Sequence, residues 1–104
     1  MKKDIYRYIA VVSFDEDGIS IDFPDLDGCF TCAETEAEIF KMAKEVLELH
    51  LWSMEQDDEP IPEPSNIKNI NLESNEAAIL VEIFMPPVRD RINSRAIKKI
   101  SIKS

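Results

Sequence analysis

Hydrophobic positions recur along this chain at two different periods, and each change of period marks a new element. Residues 5–14, IYRYIAVVSF, are rich in β-branched and aromatic types on both faces and carry no breaker. That predicts a strand interior to a sheet. Asp15-Glu16-Asp17-Gly18 reads as a hairpin connection in which Gly18 is free to take positive φ. Ile19, Ile21 and Phe23 alternate with Ser20 and Asp22, giving a strand with one buried face. Pro24-Asp25-Leu26-Asp27-Gly28 turns the chain, and Cys29 to Cys32 return as a short third strand. The period then lengthens. Ile39, Phe40, Ala43, Val46, Leu47, His50, Leu51 and Met54 recur at helical spacing, which predicts one amphipathic helix over residues 36–56. Glu45, Glu48 and Glu55 fall on its solvent side. Thr35 followed three residues later by Glu38 is a capping box, and Glu34, Glu36 and Glu38 place negative charge at the positive end of the helix dipole.

Beyond the helix, Asp57-Asp58-Glu59-Pro60 is a stop, and Pro60, Pro62 and Pro64 make a stiff extended crossing. Residues 66–76 are polar and loop-like. Ala77 to Met85 form another strand, apolar on both faces except at Glu82, which Pro86-Pro87 end. Arg89 to Ser94 suit a helical turn. From Ala96 to Lys103, Ile100 and Ile102 face one way while Lys99, Ser101 and Lys103 face the other, which predicts a short C-terminal strand. The order β-β-β-α-β makes an α+β, two-layer domain, a small sheet with one helix across a face.

A chain of 104 residues holds one domain at most. No apolar run approaches the roughly 20 residues of a membrane span. The N-terminus MKKDIYRY has no apolar centre of a signal peptide, so a soluble cytoplasmic protein is expected. Charge divides the chain more sharply. Residues 1–65 hold 5 Lys or Arg against 17 Asp or Glu, a balance of −12. Residues 88–104 hold 6 basic residues against Asp90 alone, a balance of +5. An acidic body that repels nucleic acid therefore carries a basic tail able to approach it. Cys29 and Cys32 have C-x-x-C spacing, but no second cysteine pair completes a tetrahedral zinc site, and residues three apart on a strand point to opposite faces. They read as ordinary strand residues.

One set of residues carries a resemblance. Phe23-Pro24-Asp25-Leu26, Gly28-Cys29, Thr31, Thr35 and Glu38 are followed by Ala43-Lys44-Glu45, Leu47-Glu48-Leu49 and Pro60-Ile61-Pro62-Glu63-Pro64-Ser65. Together, over residues 5–88, they resemble the HicB antitoxins of type II toxin–antitoxin systems. The resemblance implies a degraded ribonuclease-H-like fold and the neutralisation of a HicA-type toxin, a small basic protein that cleaves messenger RNA with a histidine. It also implies a C-terminal DNA-binding module, ribbon-helix-helix or helix-turn-helix, that represses the operon. Asp27 stands where the family commonly has proline, and Ala33-Glu34 where it often has Gly-Asp. Residues 1–88 would then be the partner-binding domain. Residues 89–104 would be a basic linker and strand resembling the start of a ribbon-helix-helix module, truncated or naturally lacking its helices.

The candidate residues follow from these readings. Asp22, Phe23, Asp25, Asp27 and Trp52 are the expected contacts to the toxin. Lys99, Ser101 and Lys103 are the expected contacts to operator DNA, with the tail either disordered or paired to the same segment of a second chain, and a dimer or higher homo-oligomer is expected. No catalytic residue, metal site or cofactor is expected. Two alternatives remain: a metal-dependent nuclease using Asp22, Asp25 and Asp27, and a stand-alone regulatory domain. His50, the sole histidine, reads as a packed or boundary side chain on the helix stripe.

Overall fold

The computed structural model describes the backbone of residues 3–103 and the side chains of residues 3–94. Strands β1 (Ile5–Asp15), β2 (Gly18–Asp22) and β3 (Phe30–Ala33) come first, then helix α1 (Ile39–Gln56), strand β4 (Glu76–Phe84) and helix α2 (Met85–Lys103). All pairings in the four-stranded sheet are antiparallel, in the order β3-β2-β1-β4. β1 is interior, as its two apolar faces require. Its hairpin to β2 pairs Asp15 with Gly18, and Gly18 holds φ at 139°, where a Cβ is strained.

One core lies between the sheet and α1. Tyr6, Tyr8, Ala10 and Val12 of β1, Ile21 of β2, and Val81 and Ile83 of β4 meet Ile39, Ala43, Leu47 and Leu51 of α1. Those four helix positions lie one turn apart, so a single stripe is buried. Phe40 departs from the expected stripe and is exposed, because it falls a residue past the line through Ile39 and Ala43. Upstream of α1, a 3-10 turn covers Glu36–Glu38 and the capping box forms. Glu38 Oε1 accepts from the amides of Thr35 (3.3 Å) and Glu34 (3.1 Å). α1 ends in a Schellman arrangement. The Glu59 amide donates to Met54 O and the Asp58 amide to Glu55 O, with Asp58 in the left-handed region at φ 54°.

The C-terminal strand expected from Ala96 to Lys103 is not formed: the backbone is helical throughout α2. A strand there has no neighbour to pair with, whereas a helix satisfies its own amides and carbonyls. Pro86 and Pro87 end the sheet but start a helix, since proline is tolerated in a first turn whose amides have no intrahelical acceptor. Met85 and Val88 of α2 complete the core. Among the described residues, no helix is long and apolar enough to cross a membrane.

Candidate partner-binding surfaces

Because α1 covers only one side of the sheet, the alternate strand positions project from the other. The register places Phe30, Asp22, Val11 and Ala78 in one row across all four strands. Ile9 and Leu80 form the next row, then Arg7 and Glu82, then Ile5 and Phe84. Several of these are large and apolar yet exposed: Phe30 at 66%, Leu80 and Phe84 at 56% each, and Ile5 at 44%. The only cation in these rows, Arg7, is already taken by Glu82 across the strands (Nε to Oε1, 2.6 Å). Asp22 makes no hydrogen bond or ion pair with any described residue. Burial pushes its carboxyl above the ordinary aspartate range. Its charge in turn helps burial to push the Cys29 thiol up to about 12. Cys29 is buried and Cys32 exposed, on opposite sides as the spacing predicts.

A second concave surface lies where the turn after β2 meets the end of α1. Asp25, Leu26 and Asp27 line it with His50, Ser53, Met54 and the prolines Pro60 and Pro62. The extended proline segment is held in place at two points. Asp25 accepts from the Ser65 amide (2.8 Å) and the Ser65 hydroxyl (2.6 Å), and the Tyr8 hydroxyl donates to the Pro62 carbonyl. Asp25 is therefore a loop-fixing residue, while Asp27 and the half-buried His50 are accessible.

Phe23 cannot meet a partner. It is 1% exposed and belongs to the core, because strand alternation turns it away from Asp22. Trp52 is half-buried against the same core, and its indole N–H is buried with no acceptor among the described residues. The three carboxylates of the nuclease reading do not converge. Asp22 projects from the sheet, Asp25 binds the proline segment, and Asp27 lines the groove. Among the described residues, no three His, Cys, Asp or Glu side chains are grouped to hold a metal ion.

Two carboxylates expected on the solvent side of α1 are instead covered by α2. The Glu55 side chain is only 1% exposed. It accepts from Arg89 Nη2 (2.8 Å), Arg89 Nε (3.0 Å) and the Tyr6 hydroxyl (3.1 Å). Arg89 also reaches Asp4 and the Lys3 carbonyl. The hydrogen bonds and charges of Glu55 first, and then of Asp4, raise the guanidinium above even its ordinary range against the opposing effect of burial. Glu48 accepts from Arg91 Nη2 at 2.8 Å. Two of the tail's six basic residues, Arg89 and Arg91, are thus bound to the body by charge. The side chains of Lys99, Ser101 and Lys103 lie outside the described residues.

Residues 8–101 match the family described as HicB_like antitoxin of bacterial toxin-antitoxin system. A 14.9 kDa protein from the rep-hol intergenic region of Haemophilus phage HP1 is 36% identical over 52 residues, a match spanning 50% of this chain and 39% of that protein. Among solved structures, a chain of a HicA3 and HicB3 toxin-antitoxin complex is 28% identical, with TM-score 0.63, over 75% of this chain and 98% of that one. A chain of a toxin-antitoxin complex from Streptococcus pneumoniae shares the fold at 18% identity and TM-score 0.70, over 96% of this chain and 99% of its own length.

Proposed function

As this chain is a member of the HicB-like antitoxin family, we propose that it neutralises a HicA-type toxin in the cytoplasm by binding it as a protein, without chemistry of its own. The family match across residues 8–101 carries the reading. The relative solved as a HicA3 and HicB3 complex supports the choice of partner. Charge supports the mode. A body with a balance of −12 over residues 1–65 gains association rate and selectivity from meeting a basic partner. Neutralisation then means covering the surface on which the toxin holds and cleaves RNA. The test is RNA cleavage by the cognate toxin titrated with this chain. Cleavage should fall to background near equimolar ratio, and the chain alone should leave RNA and RNA–DNA hybrids intact with magnesium or manganese present. Hybrid cleavage lost on Asp22→Asn would overturn the non-catalytic part.

The +5 balance of residues 88–104 favours one second reading, contact between α2 and operator DNA that represses the operon. A basic helix in this role gains mainly from phosphates, so binding should be weak and fall steeply with salt. A tight, sequence-specific gel shift lost on Lys99→Ala with Lys103→Ala would instead show base reading by these residues.

A further inference from the structure

The helix-free face of the sheet has a composition that folding alone does not explain. β1 is the central strand, and its outward Ile9 is 3% exposed although it stands outside the main core cluster. Around it, Phe30, Leu80 and Phe84 are left more than half exposed and Ile5 nearly so. Three strand spacings separate Phe30 on one edge from the β4 row on the other, roughly 14 Å. Single exposed apolar residues are ordinary, but large apolar side chains aligned across a whole sheet mark an interaction surface. Within that row stands Asp22, a carboxylate flanked by Phe30 and Val11 in the register and free of any partner among the described residues.

Charge decides between occupants. Among the described residues of this face the one cation, Arg7, is paired with Glu82, which leaves Asp22 and Glu76 without a cation, and Glu76 already accepts from the Ser13 hydroxyl. Two copies meeting face to face oppose bodies of the same sign. A basic protein meets no such conflict. Its apolar contacts cover Phe30 and Leu80, and one lysine or arginine reaches Asp22, where the surrounding apolar groups exclude water and strengthen the pair.

We propose that this sheet face, centred on Asp22 between Phe30 and Leu80, is where the chain docks its basic protein partner, rather than the groove formed by Asp27, His50 and the proline segment. The proposal rests on the antitoxin reading and names the surface that reading uses. Phe30 and Leu80 are exposed enough for charge substitutions to leave the fold standing, which matching thermal melts verify. Asp22→Lys, Leu80→Lys and Phe30→Lys should each weaken toxin binding by about 30-fold or more, the scale of a central interface residue. Asp27→Lys and His50→Ala should stay within about threefold of the parent. If the groove variants lose binding and the sheet variants keep it, this inference fails while the antitoxin reading stands. If the parent itself does not bind, the antitoxin reading fails first. Should the sheet variants change only the sedimentation mass, a second copy is the occupant and the inference is overturned.

Discussion

Replacing Arg89 with methionine keeps a long apolar stem over α1 but removes the cation that holds Glu55. The geometry sets the size of the effect. An exposed ion pair contributes about 0–1 kcal/mol, whereas breaking a buried one costs about 3–5 kcal/mol because a charge is left without compensation. The Glu55 side chain is 1% exposed and Arg89 19%, with two nitrogens on the carboxylate. The buried case therefore applies. Two features pull the value toward the lower end. The Tyr6 hydroxyl still donates to Glu55, and loss of the guanidinium opens a path for water. We expect a loss of about 3 kcal/mol. With a urea dependence of about 1–2 kcal/mol/M, that is a fall in the unfolding midpoint of about 1.5–3 M, followed by circular dichroism. The double variant Glu55→Met with Arg89→Met, which leaves no buried charge, should recover most of the loss. A single-variant loss below about 1 kcal/mol, the surface-pair range, would refute the reasoning and show α2 to be loosely held.

Two further predictions concern the core. Leu47 is fully buried between α1 and the sheet, so Leu47→Ala should lower the unfolding free energy by about 2–5 kcal/mol in the same assay; an unchanged midpoint contradicts the packing. Burial, with the charge of Asp22 behind it, pushes the Cys29 thiol from 9.0 up to about 12. Burial chiefly, aided by Tyr6, Asp25 and Glu63, pushes the Tyr8 phenol from 10.0 up to about 12. Both are raised in the fold, so the unfolded chain releases these protons first. The stability they contribute is fully present below pH 9 and is lost as pH rises from 9 toward 12. Melting temperature followed across that range should fall, and fall less steeply in Cys29→Ala and Tyr8→Phe; parallel curves contradict the assignment.

The strands and α1 were readable because one alternation has period two and the other helical spacing, and punctuation separates them. The second layer of α1 was not. Glu48 and Glu55 sit off the apolar stripe, so a wheel drawn for one helix sends them to solvent. Only the packing of α2 reveals that they are seven apart on one side and face Arg91 and Arg89. The basic excess in residues 88–104 held the hint, but its pairing partners were distant in sequence. Ile100 and Ile102 misled because alternation over a few residues does not supply a neighbouring strand. Of the candidate surface, Asp22 is legible as a polar position in the alternation of β2, and Phe23 is adjacent in sequence but opposite in space. Phe30 lies inside the C-x-x-C spacing with no pattern to mark it, and a β4 apolar on both faces gives no sign in sequence of which face, Leu80's included, stays bare. An edge strand covered by a helix on one side only leaves the other face bare.

A calorimetric titration of this chain with its cognate HicA-type toxin at two ionic strengths tests charge-guided neutralisation. The expected result is a saturable complex with one toxin per chain, tight at about 50 mM salt and markedly weaker at several-fold higher salt, as complementary charge requires. An absence of binding at low salt, or an affinity indifferent to salt, would contradict it.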